Sequence, residues 1–149
     1  MTGTERDDAT ARRRNEFEGG ATREDQVSRT IVQAALEVHR TLGGPGLLES
    51  VYEEALLIEL RHRGLKVETQ TAVPLMYKGE LLRSDLRLDL LVEDCVVVEC
   101  KATNRDGPLF EAQVLTYLRL LGLKLGMVIN FGEQLVKNGT RRVVNGLGA

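Results

Sequence analysis

The chain reads as a mixed β-sheet flanked by helices, an α/β or α+β sandwich. Three observations predict this. Two helical periods precede any strand pattern, an alternating apolar run then doubles back through a tight turn, and a last helical segment leads into a continuous apolar strand. The order is α-α-β-β-β-α-β, with room for a short closing edge strand. A strand, a helix and another strand imply a parallel crossover, which should be right-handed.

The first helix starts near Thr22, where Thr22 and Asp25 resemble a capping box with Asp in place of Glu. Val27, Ile31, Ala34, Val38 and Leu42 then share one face, and Gly43-Gly44-Pro45-Gly46 ends the period. A second helix is predicted over 47–63, with Leu48, Val51, Tyr52, Ala55 and Ile58 as its apolar stripe and Gly64 at its C′ position. "LKVETQTAVPLMYKGE" then reads as a strand, with Pro74 marking a bulge or an edge and Lys78-Gly79 a turn. "LLRSDLRLDLLV" alternates, so Leu86, Leu88 and Leu90 face one way and Asp85, Arg87 and Asp89 the other. Glu93-Asp94 is a tight turn, and "CVVVECKA" returns antiparallel to complete a three-stranded meander. The third helix is predicted over 108–121, from Pro108 at its first position to Gly122 at C′, and its nearly all-round apolar character predicts burial. "KLGMVINF" is a continuous apolar strand, and the segment after it carries an Asn-Gly turn.

The chain's 149 residues suffice for one domain with a real core. We expect a mobile tail over 1–21, which is charged and aperiodic, and one domain over 22–149. Aromatics make up only 4% and Trp is absent, so Leu, Val, Ile and Ala must build the core. The net charge of -2 excludes a global basic field, and any phosphate binding has to be local. No apolar run is long enough to span a membrane, and the polar start rules out an ordinary secretory signal. If Cys95 and Cys100 share a strand they point to opposite faces; both are expected to be reduced thiols in a cytoplasmic protein. No Cys/His cluster suggests zinc.

The chemistry is concentrated where an apolar strand runs into Glu99-Cys100-Lys101. Glu99 and Lys101 are two apart and share a face, while Cys100 points the other way. A hairpin turning at Glu93-Asp94 brings Asp89 opposite Glu99 or its neighbour. Two carboxylates that close repel unless a cation stands between them, and Lys101 or Mg²⁺ could serve. Hard oxygen ligands suit Mg²⁺, which would lower the pKa of a water and polarise a phosphoryl oxygen. Lys101 could then hold the attacking hydroxide or balance charge in the transition state. A plain ion pair at a strand end is the rival account.

Asp89 followed by Glu99-Cys100-Lys101 resembles the D…(D/E)xK core of the PD-(D/E)XK nuclease superfamily, a restriction-endonuclease-like fold. "GLLESVY", residues 46–52, resembles the Gly-x-x-Glu-x-x-Tyr signature of the GxxExxY family within it. The likeness runs from about Glu24 to Val144, and the order of elements agrees with the superfamily core. It implies that Asp89 and Glu99 bind metal, with the backbone carbonyl of Cys100 as a further ligand, and that Lys101 is catalytic. Glu49 corresponds to the acidic residue of the first core helix, a ligand to a second metal or to a metal-bound water. "QVLTY", residues 113–117, resembles the Gln-x-x-x-Tyr element of RecB-like nucleases, so Gln113 would orient Lys101 or a phosphate and Tyr117 would contact the substrate backbone. The sequence departs from the pattern where Leu88 replaces the Pro of the motif name and where Gly44 adds a residue to the hinge.

The resemblance implies a Mg²⁺- or Mn²⁺-dependent nuclease acting on nucleic acid, DNA before RNA. The alternative is a nuclease-fold module, weak or inactive in turnover, that binds nucleic acid or a protein. The near-neutral charge suggests that grip on substrate comes from a homodimer, a partner or a special nucleic-acid structure. Tyr52 lies inside the apolar arc and is read as core, with its hydroxyl bonded to a polar group. Glu59 is expected to pair with Arg63, His39 to be structural and His62 to be exposed. The glycine hinge lacks the Lys-Ser/Thr ending and the preceding strand of a phosphate-binding loop.

Overall fold

The computed structural model describes residues 22–105 and 107–146. The tail expected over 1–21 lies outside them. Helix α1 (Arg23–Thr41) begins where Thr22 Oγ1 accepts the Asp25 N–H at 3.1 Å. The Asp25 carboxylate bonds the Arg142 guanidinium at 2.6 Å, tying the start of α1 to the last strand. Val27, Ile31, Ala34, Ala35 and Val38 are buried, as the helical period requires.

Helix α2 (Glu49–His62) is rotated from its expected setting. Its buried side chains are Tyr52, Leu56 and Leu60, spaced four apart, while Leu48, Val51 and Ile58 of the predicted stripe are exposed. Tyr52 fixes the rotation. Its hydroxyl donates to the Gly44 carbonyl at 2.6 Å and accepts the Leu47 N–H at 3.2 Å, and its ring stacks on Phe131 at 4.8 Å between centroids. The same rotation turns Glu49 and Glu53, which flank Tyr52 and Leu56 on the helix surface, toward one end of the sheet. Glu59 pairs with Arg63 at 3.6 Å as expected.

The predicted first strand is shorter than the sequence suggests. Strand β1 (Val67–Ala72) stops before Pro74, which lacks an N–H for the ladder. A separate hairpin follows, β2 (Met76–Tyr77) and β3 (Glu80–Leu81), turning at Lys78-Gly79 with both residues at positive φ. Strands β4 (Arg87–Val92) and β5 (Val96–Lys101) turn through Glu93 and Asp94, at φ 51 and 55. Helix α3 (Pro108–Leu121) and strand β6 (Leu125–Asn130) lead through a 3-10 turn (Val136–Gly139) to β7 (Thr140–Val144). The sheet order is β1-β4-β5-β6-β7, antiparallel except for the parallel β5–β6 pair. Among the described residues no helix is long and apolar enough to cross a membrane.

Helices α1 and α2 cover one face of the sheet, over Leu90, Val92, Val96, Val98, Cys100, Met127 and Ile129. Helix α3 covers the other, over Leu88, Val97 and Val128. Two expectations fail here. Only Val114, Tyr117 and Leu118 of α3 are buried, and Leu109 and Leu120 are exposed. A helix on the outside of a sandwich can press only one face to the sheet. Leu88 and Leu90, expected to point together, belong to opposite clusters. The alternation breaks at Asp89, between them. Cys95 sits in the turn before β5, beyond the reach of the alternation argument, and packs against the same cluster as buried Cys100; neither forms a disulfide.

Candidate nuclease site

The break at Asp89 is where the candidate chemistry gathers. The β4–β5 ladder pairs Leu90 with Val98 and goes no further, so Asp89 and Glu99 face each other where the strands part. Side chains replace the missing ladder. The Asp89 N–H donates to Glu99 Oε1 at 2.9 Å, and the Cys100 N–H donates to Asp89 Oδ2 at 2.9 Å. Each carboxylate is thus aimed by the backbone of the strand that carries the other. In an extended strand the N–H and C=O of one residue point to the same side, so the Cys100 carbonyl is directed toward β4 as well.

Glu99 is buried, 4% exposed, beside a second carboxylate. Burial first, and then the charge of Asp89, push its carboxyl up to about 8. Burial likewise raises Glu49, whose carboxyl feels both Lys101 and Asp89, and Glu53, which feels Asp89 and Glu49. Lys101 Nζ lies 4.8 Å from the Phe110 ring centroid of α3, near enough to both Glu49 and Glu99 to favour their ionised forms. The amine therefore stands beside the carboxylate pair, not wedged between its members. Tyr117 is buried, and burial followed by the charge of Glu99 raises its hydroxyl pKa. Gln113 Nε2 donates to Tyr117 Oη at 3.0 Å and meets the site through that hydroxyl, not through Lys101.

Strand β6 anchors the segment after Lys101. The Phe131 N–H donates to the Lys101 carbonyl at 2.8 Å. Buried Asn130 accepts N–H bonds from Thr103 and Gly132 at 3.1 and 3.0 Å and donates to the Thr103 carbonyl at 3.0 Å. A Cβ on Gly132 would sit 2.3 Å from that carbonyl oxygen, so only glycine allows so close a junction. His39 takes a structural place, with Nε2 3.1 Å from the Phe131 carbonyl, and His62 is exposed.

Sequence reasoning missed Glu53, Gln70 and Asn130. Glu53 carried a usable signal, since it stands one helical turn beyond Glu49. The other two carried none, because their roles depend on contacts across strands. Gln70 Nε2 donates to Glu53 Oε1 at 2.7 Å and reaches Asp89 Oδ1 at 3.5 Å.

Among the described residues no three His, Cys, Asp or Glu side chains are placed to hold a metal ion directly. The donors that do meet are hard oxygens, two carboxylates and a backbone carbonyl, with Glu49 at the margin. That set suits a cation that takes one or two protein carboxylates and keeps its remaining positions for water and phosphate. Two adjoining carboxylates, one of them buried and with its proton affinity raised by that burial and by its neighbour's charge, are also the electrostatic condition that a cation relieves.

Fold and site together define an α/β nuclease-like domain. The family model of the PD-(D/E)XK nuclease superfamily matches residues 25–143, and the chain belongs to that superfamily. No curated protein and no solved structure matches the chain.

Proposed function

We infer that the protein is a nuclease that hydrolyses phosphodiester bonds in nucleic acid with the help of Mg²⁺ or Mn²⁺, and that DNA is its substrate before RNA. The observation that carries this reading is the interlock of Asp89 and Glu99 where β4 and β5 part, with Lys101 alongside. Asp89, Glu99 and the Cys100 carbonyl would hold the cation, with Glu49 acting through a water. A cation there would polarise a phosphodiester oxygen and lower the pKa of a water bound to it. Lys101, placed over Phe110 beside the pair, would orient that water and balance charge on the phosphorus in the transition state. Tyr117, held by Gln113, would offer its hydroxyl to a substrate oxygen.

The test offers the purified protein single-stranded, double-stranded and branched DNA, and RNA, with Mg²⁺ or Mn²⁺. Cleavage is expected, lost with Asp89→Asn and reduced about 10²–10³-fold by Lys101→Ala. Full cleavage by the Lys101 variant overturns the mechanism. No cleavage by the wild type, with tight binding of a nucleic acid or protein, selects a binding module instead.

A further inference from the structure

Four residues other than glycine have positive φ among the described residues: Gln70, Lys78, Glu93 and Asp94. Lys78 heads the β2–β3 turn, and Glu93 and Asp94 form the β4–β5 turn, where positive φ is what a tight hairpin requires. Gln70 belongs to no hairpin turn. It lies inside β1, at φ 50. Nor is it the extra residue of a bulge. Thr69 pairs with Leu90 on one side and Thr71 with Leu88 on the other, so the register is unchanged across it. By that register it stands opposite Asp89. A strained residue in unbroken register, facing a site carboxylate, points to a use for its side chain.

The left-handed turn aims the carboxamide away from the ladder. One N–H₂ group then serves two carboxylates on different elements, Glu53 of α2 at 2.7 Å and Asp89 of β4 at 3.5 Å. The displaced Gln70 carbonyl is taken up by the Arg87 guanidinium at 3.1 Å. An amide suits the place. It offers two donors to two anions and adds no charge that would compete with a cation. A Lys in its place would fill the site itself.

We propose that Gln70 is a positioning residue that ties Glu53 to Asp89 and so holds the Asp89 carboxylate in its cation-binding setting. The inference rests on the function proposed above. Groups that orient metal ligands are worth about 10–100-fold in metal affinity. Two variants separate this role from simple support of the strand. Gln70→Gly removes both the amide and the strain, and Gln70→Asn keeps an amide that tolerates positive φ but is too short to reach.

Calorimetric titration of the full chain with MnCl₂, beside thermal melts of the metal-free protein, makes the test. Both variants should bind Mn²⁺ about 10-fold or more weakly than wild type, with melting temperatures unchanged or higher. Wild-type binding with unweakened variants overturns the role of Gln70 alone. So does a melting temperature that falls in step with affinity in both variants, which would mark a prop for β1. A wild type that binds no Mn²⁺ overturns the proposed function and this inference with it.

Discussion

Glu99 sits in a strand where its neighbours Val96, Val97, Val98 and Cys100 are all buried apolar groups, and the structure gives its charge no full partner. Its Oε1 accepts one N–H, yet burial, and then Asp89 beside it, raise its proton affinity. A neutral amide answers both demands, because its oxygen keeps the Asp89 N–H and its nitrogen adds a donor toward the Asp89 carboxylate. Glu99→Gln is therefore expected to stabilise the metal-free protein by about 1–3 kcal/mol at pH 8. It should also erase any melting-temperature rise on adding Mg²⁺. Urea unfolding with and without the cation checks both, and a destabilised variant would contradict the picture of a frustrated carboxylate. At this scale much was legible. The period of two put Glu99 and Lys101 on one face, and the hairpin count set Asp89 opposite Glu99 or its immediate neighbour. The interlocking backbone bonds were not legible, because they form only where the ladder fails.

Helix α2 shows what periodicity alone cannot settle. Of its predicted stripe only Tyr52 is fully buried, Ala55 is half-buried, and Leu48, Val51 and Ile58 lie outside. The buried row is the one that Tyr52 anchors. Tyr52 pins the glycine hinge through Gly44 and Leu47 and stacks on Phe131, whose N–H holds the Lys101 carbonyl. One aromatic side chain thus links the hinge before Glu49 to the strand end carrying Lys101. Tyr52→Phe keeps the stack and removes both hydroxyl bonds, and should cost about 1–2 kcal/mol. The variant should weaken activity more than its stability loss explains, as Glu49 loses its fixed approach. A melting curve paired with a cleavage assay measures the two effects, and unaltered values in both would show that the hinge does not set the position of Glu49.

For the whole molecule, the raised carboxyl of Glu99 sets the direction of pH dependence. The folded state holds a proton up to about 8 that the unfolded chain releases near 4.5. Stability from this group is complete below 4.5, declines as pH rises between these values, and falls no further above about 8. Glu49 and Glu53, also raised, act in the same sense. Asp25, lowered by its bonds to Thr22 and Arg142 despite partial burial, acts in the opposite sense and loses its contribution in acid. The metal-free protein should therefore melt highest in mildly acidic buffer. Under the proposed function Mg²⁺ would bind the deprotonated pair, so it should restore more stability at pH 8 than at pH 5 and release a proton as it binds. Melting temperatures across pH, with Mg²⁺ and with chelator, test this; a cation effect that does not grow with pH would contradict it.

What the sequence by itself determined is the order and type of the elements and the face on which Glu99 and Lys101 lie. Those follow from local periods, caps and turns, written in neighbouring residues. The tertiary structure alone decided which residues of α2 turn inward, that β4 changes face at Asp89, and that Glu53 and Gln70 meet Asp89. Each of these is settled by burial and hydrogen bonding between segments far apart in the chain, and no local pattern encodes which of two similar surfaces will meet a partner.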